Sequence, residues 1–148
     1  MPDLRPILLV EDSSRDAEMT MTALKKSNFA NEVVLAKHGG EALDYLYRRG
    51  MFTDRPPGDP LVVFLDLKMP KVDGLEVLQQ VKSDPALKLI PIVMLTSSCE
   101  EVDLVTSYKL GVNAYVVKPM GFREFTDAIS QTGLFWAAIN ETPTKPAS

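Results

Sequence analysis

Three acidic residues stand at the ends of short apolar runs: Glu11 and Asp12 follow residues 7–10, and Asp66 follows residues 61–65. Carboxylates brought within a few ångströms repel one another and raise one another's pKa, so a cluster of this kind calls for a cation. An all-oxygen ligand set that keeps bound waters suits Mg²⁺ rather than zinc. Two hydroxyls, Thr96 and Ser97, follow the apolar run 92–95, and Lys118 follows 114–117. A divalent cation, a hydroxyl and a fixed ammonium are what a phosphoryl group needs around its oxygens. In that company the Asp66 carboxylate is the candidate nucleophile, and its product would be an acyl phosphate. Taken singly, each acidic residue could equally cap a helix or end a strand in solvent. Lys118, ahead of Pro119, could be a surface charge. The combination carries the chemistry.

These residues can meet only if the elements that carry them run side by side. Residues 7–10, 32–36, 61–65, 92–95 and 114–117 read as five strands, three of them almost uniformly apolar. Such runs are what strands need when helices cover both faces of a parallel sheet. Helical stretches lie between them, over about 14–26, 40–49, 74–83, 100–110 and 122–139. Ala17, Met21 and Leu24 share one stripe of the first helix, and Ser13 or Ser14 can cap its start. Gly50 and Gly111 follow helical runs, where a left-handed terminating residue is favoured. The third helix should stop before Pro85. Alternation of this kind predicts an α/β fold: a flavodoxin-like, doubly wound, five-stranded parallel sheet in the order 2-1-3-4-5, with helices on both faces. Ligands in such a sheet sit beyond the carboxyl ends of the strands at the switch point, where Glu11, Asp12 and Asp66 fall. Residues 51–60, with Pro56-Pro57-Gly58, read as a loop too proline-rich for regular structure. One domain is expected over 1–140, with a short flexible tail at 141–148 and no room for a second domain.

Composition narrows the function. The chain has 148 residues, 24% charged and 45% hydrophobic, enough for one continuous core. A net charge of −4 and a pI near 5.0 argue against a nucleic-acid partner. No apolar run approaches the roughly 18–20 residues that span a bilayer, and the N-terminus lacks signal architecture, so a cytoplasmic protein is expected. Cys99 and His38 are each the only residue of their type. That excludes an intramolecular disulfide and makes a cysteine or histidine zinc site implausible.

The segments Leu9-Val10-Glu11-Asp12, Phe64-Leu65-Asp66-Leu67-Lys68-Met69-Pro70 with Asp73-Gly74, Met94-Leu95-Thr96-Ser97 and Tyr115-Val116-Val117-Lys118-Pro119 occur in order. Through them the chain, from Ile7 to Ile139, closely resembles the response-regulator receiver family. The resemblance implies that Asp66 accepts a phosphoryl group from a phosphohistidine on a sensor histidine kinase. It implies that Glu11, Asp12, Asp66 and the backbone carbonyl of Lys68 hold Mg²⁺. Thr96 would then hydrogen-bond the phosphoryl group and Lys118 would pair with it. Tyr115 matches the aromatic switch position, expected to turn inward as Thr96 moves; the alternative is an ordinary strand aromatic packed on helix four. The family acts as a regulator that catalyses only its own phosphorylation and dephosphorylation, not as an enzyme on other substrates. Lys68 is a departure, a long cation where many receivers carry a smaller or polar residue. With Ser98 it could gate the hydrolytic water.

With no output domain expected after residue 139, signalling would pass through phosphotransfer or protein contacts. The longer second helix, the 51–60 loop and Gly133-Leu134-Phe135-Trp136 resemble small receivers paired with bacterial and cyanobacterial phytochromes, which implies a phytochrome kinase as partner. Leu134, Phe135 and Trp136 point about 100° apart in a helix, so at least one should be exposed or buried in an interface. A homodimer through the face of helix four, strand five and helix five is expected.

Other classes fit less well. A haloacid-dehalogenase-type phosphatase needs a second acid two residues beyond the nucleophile, where Lys68 stands. A flavodoxin needs hydroxyls and amides where Glu11 and Asp12 would repel a phosphate. No G-x-G-x-x-G follows the first strand and no G-x-x-x-x-G-K-[ST] occurs. The remaining alternative is a pseudo-receiver, an interaction module that works without phosphorylation.

Overall fold

The computed structural model describes residues 4–27, 30–69 and 72–141. Strands and helices alternate as β1 Ile7–Val10, α1 Ser14–Lys26, β2 Val33–Ala36, α2 Gly39–Tyr47, β3 Val62–Leu65, α3 Gly74–Ser83, β4 Ile92–Thr96, α4 Glu101–Lys109, β5 Ala114–Val117 and α5 Phe122–Leu134. The strands form one parallel sheet in the expected order β2-β1-β3-β4-β5.

Both faces of the sheet are apolar, and residue parity divides them. Leu8, Val10, Val63, Leu65, Ile92 and Met94 point into a core shared with Ala42, Tyr45 and Leu46 of α2 and Val77, Leu78 and Val81 of α3. Their neighbours Ile7, Leu9, Val62, Phe64, Val93 and Leu95 meet Ala23 and Leu24 of α1 and Phe125 and Ile129 of α5 on the other side. That two-sided burial is the physical reason the strands read as unbroken apolar runs. Parity also sorts the polar residues at the strand ends. Glu11 continues the series 7–9, Asp66 the series 62–64 and Lys118 the series 114–116, all toward α1 and α5. Thr96 and Tyr115 carry the opposite parity, toward α3 and α4.

Caps set the helix starts. The Ser13 hydroxyl accepts from the Asp16 amide at 3.2 Å, and an Asp73 carboxylate oxygen accepts from Glu76 at 3.0 Å. His38 Nδ1 accepts from the Glu41 amide at 3.2 Å, so the lone histidine serves as an N-cap. Helix α3 ends at Ser83, ahead of the extended Asp84 and Pro85, as expected. Helix α2 stops two residues early because Arg48, at φ 56°, takes the left-handed position.

The proline-rich stretch is more ordered than its composition suggests. A 3-10 turn covers Gly50–Phe52, and the Arg55 guanidinium lies 4.1 Å from the centre of the Tyr45 ring. Arg55 also donates to the carbonyls of Tyr45, Pro56 and Gly58, at 2.6, 2.7 and 3.0 Å. One stacked arginine replaces the backbone regularity that proline denies. Helix α5 passes into a π-helical turn at Phe135–Ile139, which buries Trp136 and leaves Leu134 and Phe135 exposed. The expectation that the three could not all face the core is met. Of the tail expected at 141–148, residues 142–148 lie outside the described residues.

Gly74 opens α3 directly beneath the Asp66 loop, with its amide 2.8 Å from the Leu67 carbonyl. A Cβ there would lie 2.7 Å from the Leu67 Cα and closer still to the Asp66 carbonyl oxygen. Gly74→Ala is therefore expected to destabilise the fold by about 2–3 kcal/mol, the scale of overpacking against backbone. Chemical denaturation would read the change.

Candidate functional site

Backbone bonds carry the sheet past the strand ends and into the site. The Glu11 amide donates to the Ala36 carbonyl at 3.0 Å, Asp66 to Val10 at 3.0 Å and Lys118 to Thr96 at 2.7 Å. Because Val10 pairs with both Ala36 and Leu65, Glu11 and Asp66 stand level on neighbouring strands. Carboxylate oxygens of Glu11, Asp12 and Asp66 lie within 4.8 Å of one another. Glu11 is buried, Asp66 is 9% exposed and Asp12 is open to solvent. The three expected carboxylates do converge.

The Lys118 ammonium sits among them. It donates to Glu11 Oε1 in a short bond, to Asp16 Oδ2 at 3.0 Å, and lies 3.6 Å from Asp66 Oδ2. Burial, and to a lesser degree the hydrogen bond to Asp66, pushes the Glu11 pKa up to about 7 from an ordinary 4.5, despite the opposing pull of Lys118. Burial alone would lower the Lys118 pKa, but Glu11, Asp66 and Asp16 outweigh it and hold it above the ordinary lysine value. With three carboxylates facing one ammonium, the crevice is short of positive charge. Its all-oxygen donors fit a hard divalent cation.

Asp16 was not among the expected site residues. Its signal was an acidic residue in the first turn of α1, the helix directly after the Glu11-Asp12 pair. A capping role for such a residue is the commoner one, and only the contact with Lys118 separates the two.

Thr96 and Tyr115 lie on the far side of the sheet edge. Thr96 is fully buried and its Oγ1 accepts from the Ser98 amide at 3.2 Å, whereas Ser97 is exposed. The half-buried Tyr115 donates its hydroxyl to the Ser98 carbonyl at 3.0 Å, so both expected switch residues bind the same loop. Ser98 Oγ in turn donates to Asp103 Oδ2 of α4 at 2.5 Å, and the exposed Lys68 ammonium lies 3.7 Å from that same oxygen. The Lys68 side chain is thus tied to α4.

An open parallel sheet thus carries an acidic switch point, a buried lysine and, at the end of β4, a buried threonine. The response regulator receiver domain matches residues 7–130, and the chain belongs to that family. It is similar to response regulator Rcp1 of Synechocystis sp., 38% identical over 96% of this chain and 93% of that protein. The crystal structure of the Mn²⁺-bound form of Rcp1 superposes with a TM-score of 0.87 at 36% identity, covering 94% of this chain and 99% of that one. The phosphorylated cyanobacterial phytochrome response regulator RcpA has a TM-score of 0.87 at 37% identity, over 94% and 98% of the two chains. The bacteriophytochrome response regulator AtBRR is 64% identical over 95% of this chain and 100% of its own, with a TM-score of 0.76. The chain is a receiver related to phytochrome response regulators.

Proposed function

We propose that this protein is a two-component response regulator that takes a phosphoryl group from a sensor histidine kinase onto Asp66. The observation that carries the reading is the convergence of Glu11, Asp12, Asp66 and Lys118 at the carboxyl edge of the sheet. In this reading Mg²⁺ is held by Glu11, Asp12, Asp66 and the Lys68 carbonyl. When bound, it supplies charge that offsets the anionic phosphoryl oxygens. The Asp66 carboxylate attacks phosphorus, the kinase histidine leaves, and Lys118 and Thr96 take up the phosphoryl oxygens. The domain catalyses only this transfer and its own dephosphorylation. Relatives named as phytochrome response regulators support a phytochrome kinase as donor. Among the described residues no helix is long and apolar enough to cross a membrane, in keeping with a cytoplasmic site of action. Phosphate uptake with Mg²⁺ and a small phosphodonor, lost in Asp66→Asn, tests the proposal. A pseudo-receiver would take up none.

Phosphorylation reaches the surface through α4. Thr96 moving toward the phosphoryl group would release the Ser98 amide, and with it the loop that Tyr115 and Asp103 hold. Helix α4 is lightly anchored: Ser107 is its one buried residue, and the Ser107 hydroxyl has no hydrogen-bond partner. Removing the Lys68 tether should admit water to the site. Lys68→Ala is expected to shorten the acyl-phosphate lifetime by up to about fivefold, the range an exposed ion pair can supply, while leaving phosphorylation intact. Equal decay rates in the two proteins, followed by intact mass, would contradict this.

The same face supports a homodimer as the signalling species. Val102, Val105 and Tyr108 on α4, Val117 on β5, and Met120 and Phe122 after it are all exposed, apolar side chains available to a second copy. Light scattering should give a dimer mass, and Val105→Glu, placed within the patch, a monomer. A concentration-independent monomer mass, with and without a phosphate mimic, would exclude the dimer.

A further inference from the structure

We infer that Asp16 is a positioning residue that gives the Lys118 ammonium a place to rest while a metal ion occupies the acidic site. The inference rests on the metal-binding reading above. Lys118 is held by the Glu11 carboxylate and by Asp16 Oδ2 at 3.0 Å, with Asp66 Oδ2 at 3.6 Å. Two of these three anions, Glu11 and Asp66, belong to the carboxylate cluster that would bind the metal. A divalent cation on them would repel the ammonium, whose side chain is only 5% exposed and so is held at the site rather than in solvent.

Asp16 resolves the conflict by its position. It lies in the first turn of α1, its amide donates to the Ser13 hydroxyl, and it stands outside the cluster formed by Glu11, Asp12 and Asp66. Its side chain is 34% exposed, so its charge is tolerated when Lys118 later leaves for the phosphoryl group. In the metal-free site Asp16 shares Lys118 with two other anions. In the metal-bound site it is the anion that remains. Its bond to Lys118 is therefore stronger with metal than without, and that difference appears as metal affinity.

The test is Mn²⁺ affinity by isothermal titration calorimetry in four proteins: unmodified, Asp16→Asn, Lys118→Met and the double variant. With Lys118 present, Asp16→Asn should weaken Mn²⁺ by about five- to tenfold, the size of an ordinary site-to-site coupling. In the Lys118→Met background the same change should matter by less than about twofold, because the ammonium it serves is gone. Asp16→Glu, which keeps the carboxylate, should retain most of the affinity. An equal loss in both backgrounds would show Asp16 acting only through its field on the metal and would overturn the inference. No Mn²⁺ binding by the unmodified protein would instead overturn the metal-site reading itself.

Discussion

Asp66→Asn is expected to abolish phosphate uptake, the largest effect any single substitution should have here. Incubated with Mg²⁺ and a small phosphodonor, the unmodified protein should gain one phosphate by intact mass, and the variant none. The amide nitrogen and oxygen keep the shape of the side chain but lack the anionic nucleophile. Folding should survive, because Asp66 ends a strand whose own ladder bond runs through its backbone amide to Val10. Omitting the metal should have nearly the same effect, since the phosphoryl oxygens would then meet the carboxylates of Glu11 and Asp12 unshielded. Uptake by the variant would move the phosphoacceptor elsewhere, and a complete absence of uptake by the unmodified protein would favour the pseudo-receiver.

The second large effect is a pH dependence of metal binding centred near neutrality. Glu11 has its pKa raised to about 7 by burial and by Asp66, and a metal requires the ionised carboxylate. Below about pH 7 the metal must displace a proton, so affinity should fall by about tenfold per unit of pH. Above it, affinity should level off. The sign for stability follows from the same shift. An acid with a higher pKa folded than unfolded is neutral in the native state while the unfolded chain is already ionised. Metal-free protein therefore loses stability at this group as pH rises from 4.5 through about 7, and metal should restore it. Calorimetric titrations in buffers of different ionisation enthalpy would count the released proton. A flat affinity between pH 5.5 and 8, or a slope that survives in Glu11→Gln, would contradict the assignment.

Much of this was legible in the linear chain. Five apolar runs separated by amphipathic stretches admit few arrangements once crossovers must be right-handed, and the observed order is the one expected. Glu11, Asp12 and Asp66 were readable as a cluster because β1 and β3 are neighbours with ends in register. Their chemistry needs only residue type and position at a strand end. Local signals also narrowed the α1 cap to Ser13 or Ser14, of which Ser13 serves, and set Pro85 as the limit of α3.

Other features depended on distances that no sequence spacing encodes. Lys118 follows β5, three strands away from β1, and whether its flexible chain rests on Asp66, Glu11 or Asp16 is set by packing across the sheet edge. The same holds for Arg55, which orders a proline-rich loop by stacking on Tyr45, and for the π-turn that buries Trp136 while exposing Phe135. The Lys68 side chain reaches Asp103 on α4, beside Ser98, a contact that its two-residue step from Asp66 does not encode. By itself the sequence determined the sheet, its order and the residues at its acidic edge, because hydrophobic periodicity and strand ends are local properties. Which ion pairs form across that edge was decided by the tertiary structure, because long charged side chains choose partners by three-dimensional proximity and burial.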